Sequence, residues 1–298
     1  MDAAARIERA LETALSRAEG HAGGPAGSSR SAPPGLANAI RYAVFPGGAR
    51  VRPRLCLAVA DACAIDSPII ADNAAAAIEL MHCASLVHDD LPCFDDADQR
   101  RGKSSVHKVY GEPLAVLTGD AMIVMAFETM CAGATASPSR LPGLVTALSR
   151  AVGGPSGIIS GQAWECEPEI DLVQYHRAKT GALFAAATSM GALAAGESPD
   201  RWRPLGELIG EAYQVADDIQ DMISDAATIG KPCGQDAAHA RPSAPRALGL
   251  EGAVARIESL LRDAVDAIPP CEGAAELRSI IAAQAKRFVP KSLGRHAA

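Results

Sequence analysis

Two groups of acidic residues carry most of the chemistry this sequence offers. The first lies in SLVHDDLPCFDDADQRRG, with Asp89, Asp90, Asp95, Asp96 and Asp98, followed directly by Arg100 and Arg101. The second lies in YQVADDIQDMISD, with Asp217, Asp218 and Asp221. Positions i and i+4 share a helix face, so Asp217 and Asp221 point the same way, and like charges at that spacing destabilise a bare helix. A solvated acidic face is the plainest account of such a group, but Ile209, Tyr213, Val215 and Ile219 make its surroundings apolar. A divalent cation accounts for it better. Carboxylate oxygens suit Mg²⁺, which takes a few protein carboxylates and completes its shell with waters and substrate phosphates. Asp89 and Asp95 are too far apart along an ideal helix to converge. Pro92 removes a backbone donor between them, and a broken turn there brings the two carboxylates back together.

Fixed positive charges accompany the acids. Guanidinium forks bind phosphate in two-pronged fashion and stay charged at any working pH. Arg100 and Arg101 alone would read as surface arginines screening the acids beside them. PGGARVRP adds Arg50 and Arg52, HRAKTG adds Lys179 and Thr180, and IGKPCGQD adds Lys231. His82 precedes Asp89 by two turns on the same side of the helix; a lone histidine there is more often a core residue. Together these groups describe a cavity between helices, with carboxylate clamps for Mg²⁺ on two walls and phosphate-binding cations at the rim.

The elements that must position these groups read as helices. The chain has 298 residues, 48% hydrophobic and only 4% aromatic, with abundant alanine, which favours closely packed helices over a β-sandwich. Helical patterns run over 71–90, 113–133, 141–152, 172–196, 204–225, 249–268 and 274–288, and no alternating strand pattern interrupts them. An amphipathic first helix carries Ile7, Leu11 and Leu15, and residues 20–35 form a flexible Gly/Ser/Pro linker after it. The expected fold is all-α, a single domain over 1–298. The net charge of −7 and the lack of a basic stripe argue against nucleic-acid binding. The eight cysteines form no C-x-x-C pair and read as small buried thiols in a reducing cytoplasm. No signal peptide is evident, and no run is expected to span or stably insert in a membrane.

With these residues in place, the sequence resembles the short-chain trans-isoprenyl diphosphate synthases. The likeness runs from about Leu36 to the last helices and includes both aspartate-rich motifs, GGxRxRP, RRG, Gly161–Gln162, KTG, YQVADD and GKPxGQD in the family's order. DDLPCFDD and GQDAAHARPSA are most similar to the bacterial geranylgeranyl diphosphate synthases of carotenoid and chlorophyll pathways. The resemblance implies an all-α helical bundle around a deep central cavity. It implies an allylic diphosphate held by a trio of Mg²⁺ ions, with Mn²⁺ as a substitute, at Asp89, Asp95 and Asp217; Asp90, Asp218 and Asp221 belong to the same clamps. It assigns Arg100, Lys179, Thr180, Gln214 and Lys231 to the allylic substrate, and Arg52, His82 and Arg101 to isopentenyl diphosphate. It also implies a homodimer. The family's usual lysine after the two glycines is Ala49 here, so Arg50 or a water is expected to compensate.

The implied reaction ionises the allylic C–O bond, adds isopentenyl diphosphate and loses a proton. It needs no nucleophilic side chain, in keeping with the absence of a Ser/His/Asp or Cys/His arrangement. Product length should depend on the helix before Asp89. Farnesyl diphosphate synthases with this first motif usually carry an aromatic five residues upstream, where this chain has Ala84, beside Ser85. Met81 and Ile78 follow, roughly 12 and 16 Å from Asp89 at about 1.5 Å rise per residue, as floors for a C20 chain. Geranylgeranyl diphosphate is the expected product. The alternatives are a farnesyl diphosphate synthase stopping at C15, and a non-catalytic subunit of a heteromeric prenyltransferase, against which both intact aspartate motifs argue. His88–Asp89 alone also suggests a metal phosphohydrolase, but His21, His107, His176, His239 and His296 supply no matching ligand set.

Overall fold

Small side chains let helices approach closely, and this chain uses alanine for that purpose throughout its core. The computed structural model describes residues 2–20, 32–45, 47–223 and 243–288. In order these form α1 (Ala3–Ala18), α2 (Pro34–Val44), α3 (Val51–Ala62), α4 (Pro68–Asp89), β1 (Gln99–Arg100), β2 (Lys103–Ser104), α5 (Val106–Tyr110) and α6 (Glu112–Gly133). There follow α7 (Leu141–Val152), α8 (Ile158–Trp164), α9 (Leu172–His176), a π-helical turn (Arg177–Gly181), α10 (Ala182–Ala194), α11 (Arg203–Ile223), α12 (Ala244–Asp266) and α13 (Ala274–Phe288). The all-α expectation holds.

The central helix is α4. Ala74, Ala75, Ala76 and Ala77 are buried along it, and α6, α3, α10 and α1 pack around it. A helix apolar on most faces must be enclosed in this way. On the other side α11 packs against α10 and α12. The first helix docks as its spacing predicts: Ile7, Leu11 and Leu15 are buried, and Arg6 hydrogen-bonds Asp72 at 2.7 Å and Asp61 at 2.9 Å.

Several expectations need correction. A two-stranded antiparallel hairpin, β1 with β2, follows the first acidic group; strands of two residues leave no alternating signal to read. The helix expected over 172–196 is divided by the π-helical turn, which changes the phase between α9 and α10. Both α4 and α6 are long and apolar enough, by length and composition, to cross a membrane, contrary to the expectation that no run is. The α4 window is mostly buried inside the protein, whereas less than half of the α6 window is. The cysteines divide as well: Cys56 and Cys83 are buried thiols, but Cys93, Cys131 and Cys166 are exposed. Most of the linker expected over 20–35, together with Cys233, lies outside the described residues; α2 already begins at Pro34.

Candidate active site

The first acidic group sits where α4 ends. Asp89 is the last residue of the helix, and the chain then turns back through Pro92 so that the Asp95 amide donates to the Asp89 carbonyl at 3.0 Å. This is the broken turn that Pro92 implied, and it converges the two side chains. Carboxylate oxygens of Asp89, Asp95 and Glu165 all lie within 4.8 Å of one another. Burial, and then the neighbouring Asp89 carboxylate, push the Asp95 carboxyl up to about 6. Three half-buried carboxylates so close repel one another, and a divalent cation relieves that repulsion with ligands of the oxygen type it prefers. The donor set therefore fits Mg²⁺.

Glu165 did not stand out in the sequence, where GQAWECEPE spaces Glu165 and Glu169 four apart but sets Pro168 between them, against a continuous helix. Its place follows from a close approach. A Cβ on Gly161 would lie 2.4 Å from the Lys179 amide nitrogen, so only glycine lets α8 meet the π-helical turn here. Glu165, just beyond α8, then accepts hydrogen bonds from Lys179 Nζ at 2.5 Å and from the Tyr175 hydroxyl at 2.6 Å. The neighbouring Gly161–Gln162 pair was the signal available to find it.

Lys179 and Thr180, adjacent on the π-helical turn, connect the two acidic helices. Lys179 Nζ also lies 3.3 Å from Asp89 Oδ1 on α4. Burial alone would lower the pKa of its ammonium, but Asp89, Tyr175 and Glu165 raise it instead, so it is a cation at any working pH. Thr180 Oγ1 donates to Gln214 Oε1 at 2.6 Å on α11, less than one turn before Asp217. The predicted Asp89, Asp95, Lys179, Thr180 and Gln214 are thus brought together.

Other predicted residues are committed elsewhere. Asp90 is almost fully buried and accepts from Arg100 Nε at 2.8 Å and Nη2 at 2.5 Å, so it does not join the Asp89–Asp95–Glu165 group. Burial still raises the Asp90 carboxyl, with Arg100 opposing that shift. Asp218 accepts from Gln214 Nε2 at 2.8 Å and from the Ala244 amide at 2.9 Å, where it anchors the start of α12. Buried carboxylates take hydrogen-bond partners of this kind because an unpaired buried charge is costly. Asp217 and Asp221 stand half-buried on α11. Arg50 is the clearest departure. Its guanidinium, expected to compensate for Ala49 at a phosphate, lies buried between Glu79 at 2.7 Å and Glu8 at 3.0 Å. Lys231 lies outside the described residues.

A second positive cluster surrounds His82. Burial, then Arg52 and Arg101, keep this histidine well below its usual range, so it is neutral. The Arg52 guanidinium stacks over Phe184 at 4.4 Å and Tyr213 at 5.5 Å, and its Nε is buried without a hydrogen-bond partner among the described residues. Burial lowers its pKa too. A buried, incompletely paired guanidinium beside a neutral histidine has donors to offer an anion. Farther along α4, Ala84, Met81 and Ile78 are fully buried, and Ser85 Oγ turns back onto the His82 carbonyl at 2.8 Å.

Comparisons with known proteins identify the family and the fold. The family model described as polyprenyl synthetase matches residues 33–280. A geranylgeranyl diphosphate synthase of Cereibacter sphaeroides is 54% identical over 285 residues, 96% of each chain. Its counterpart in Rhodobacter capsulatus is 49% identical over 284 residues, 95% of each. Among solved structures, a geranyltransferase from Helicobacter pylori complexed with magnesium and isoprenyl diphosphate is similar with a TM-score of 0.76 at 30% identity, covering 96% of this chain and 98% of that one. An FPP/GFPP synthase from Zymomonas mobilis gives a TM-score of 0.76 at 29% identity, covering 96% and 99%.

Proposed function

The chain belongs to the polyprenyl synthetase family, and we propose that it condenses isopentenyl diphosphate with allylic diphosphates to make geranylgeranyl diphosphate, farnesyl diphosphate being the last acceptor. The observation that carries this reading is the pair Lys179–Thr180, which touches Asp89 on one acidic helix and Gln214 on the other. A cation site and a diphosphate-binding lysine at one point are what departure of an allylic diphosphate requires. The reading is of a homodimeric, soluble, cytoplasmic enzyme. The apolar outer face of α6, with Leu117 and Val124 exposed, supports pairing of two copies.

In this mechanism Asp89, Asp95 and Glu165 would hold Mg²⁺ on the α4 side and Asp217 would hold it on the α11 side, with Asp221 one turn on. When bound, Mg²⁺ neutralises the charge that develops on the departing diphosphate. Lys179 adds a fixed positive charge to the same oxygens, and Arg100, held by Asp90, adds another at the edge of the site. Because these groups are in place before the C–O bond breaks, little reorganisation is needed as charge separates. The oxygens of Thr180 and Gln214 present dipoles to the allylic cation. Arg52, Arg101 and neutral His82 hold isopentenyl diphosphate so that its double bond meets that cation. No described side chain need take the final proton, since the departing diphosphate is itself a base. The apolar faces of α4 and α10 exclude water, which would quench the cation.

Two measurements bear on this. Purified protein given Mg²⁺, farnesyl diphosphate and isopentenyl diphosphate is expected to yield mainly the C20 diphosphate. Accumulation of C15 from shorter primers without further elongation would retire the product assignment, and no turnover at all would retire the enzyme. Glu165→Gln keeps the side chain's shape but removes its charge from both the cation site and Lys179. It is expected to lower turnover or apparent Mg²⁺ affinity about 10- to 100-fold, the range found when groups supporting a metal site are changed. An unchanged Mg²⁺ titration and rate would remove Glu165 from the site.

A further inference from the structure

Arg50 is withdrawn from the cavity by two carboxylates that the mechanism does not use. Glu79, on α4 one turn before Cys83, is 1% exposed. Its Oε1 accepts from Arg50 Nη1 at 2.7 Å and lies 4.0 Å from Arg101 Nη2. Arg50 also donates from Nε to Glu8 Oε1 at 3.0 Å and from Nη2 to the Val44 carbonyl at 2.9 Å. One buried carboxylate therefore faces two guanidinium groups, and α1 supplies the second carboxylate, from Glu8. The loop between them is shaped to the same end. A Cβ on Gly47 would strike the Arg50 guanidinium at 2.0 Å, and one on Gly48 would stand 3.0 Å from Arg101 Nε. Arg50 takes a left-handed backbone, φ 51°, to make this turn, and Arg101 does likewise at φ 55°. For residues with a side chain that conformation is costly, and it persists because surrounding contacts hold it.

We infer that Glu79 and Glu8 are positioning residues for the second diphosphate: Glu79 orients Arg101 directly, and the Glu8–Arg50–Glu79 chain fixes the Gly47–Gly48 loop against which Arg101 rests. In this chain α1 thereby becomes part of the isopentenyl diphosphate site without touching the substrate. The inference rests on the function proposed above. It also separates two roles for a buried carboxylate. If Glu79 merely added negative charge near a diphosphate, removing that charge would tighten binding. If it orients Arg101, removing it weakens binding although the site becomes more positive.

The test is steady-state kinetics on the full chain, with each substrate varied at saturation of the other. Glu79→Gln is expected to raise KM for isopentenyl diphosphate about 10- to 100-fold, because it weakens both the buried charged hydrogen bond to Arg50 and the ion pair with Arg101. KM for farnesyl diphosphate stays within about twofold, because the groups assigned to it lie elsewhere. Glu79→Asp keeps the charge and recovers most of the loss. Glu8→Gln, on a half-exposed side chain of an outer helix, raises the same KM about 2- to 5-fold, and it serves if Glu79→Gln fails to fold. An unchanged or lowered KM for isopentenyl diphosphate overturns the inference, as does an equal rise in both KM values. If the unaltered protein shows no turnover, the proposed function falls. The Kd for isopentenyl diphosphate, measured by calorimetry on the same proteins, then decides the positioning role alone: no binding, or equal binding by all of them, overturns it.

Discussion

Asp89→Ala is expected to lower turnover by about two to three orders of magnitude or more, the cost of removing one preorganised electrostatic contact to a developing charge. The same applies to Asp217→Ala on the facing helix. The fold should survive both changes. Without Asp89, Lys179 keeps Glu165 as a partner at 2.5 Å, and Asp95 loses a like charge that now pushes its carboxyl upward. The two effects are distinguished by melting the protein with and without Mg²⁺. A cation that binds only the folded state raises the melting temperature by mass action. The unaltered chain should show that rise in the presence of a diphosphate, and Asp89→Ala should lose most of it while melting normally without metal. A near-normal rate with an intact Mg²⁺-dependent shift would remove the metal assignment from Asp89.

The second large effect is expected from Ala84→Phe, which should shift the main product from C20 to C15. Ala84 is 2% exposed on α4, one turn from Met81 and close to the end that carries Asp89. On the proposed reading, a phenyl ring there would occupy the space into which the growing chain passes. Overpacking of a closed core costs about 1–3 kcal/mol, so a lower melting temperature is part of the expected result. Truncation at the proposed floor, Met81→Ala, should act in the opposite direction and lengthen the product. The check is chromatography of the dephosphorylated products with farnesyl diphosphate and geranyl diphosphate as primers. An unchanged C20 product from Ala84→Phe would mean that the chain grows along another wall.

Much of the fold was legible because helix formation is local. Apolar spacing located α4, α6, α7, α11 and α13 to within a few residues. Proline and glycine marked the breaks between them, and Pro92 foretold the turn that returns Asp95 to Asp89. What escaped were α2, α3 and α8, which no predicted helical run covers, and the shortest elements. The strands β1 and β2, the five-residue α5 and the π-helical turn are too brief for a period to repeat. The site was legible as a list of chemical groups, for the same local reason: acids and cations occur in recognisable runs.

By itself, the sequence determined that this chain is helical, that it carries carboxylates suited to Mg²⁺ and cations suited to diphosphate, and that a small residue, Ala84, stands five positions before Asp89. Tertiary structure decided which charges pair with which. Arg50 meets Glu8 from α1 and Glu79 from α4, Asp90 is taken by Arg100, Asp218 anchors α12, and Glu165 joins Asp89 and Asp95 from just beyond α8. The physical reason is range. A helical period repeats every few residues and is written along the chain, whereas an ion pair forms wherever packing brings two side chains within a few ångströms. Apart from Asp90 and Arg100, ten residues apart, the groups that meet here are remote in sequence, and only the packing of the helices sets their distances.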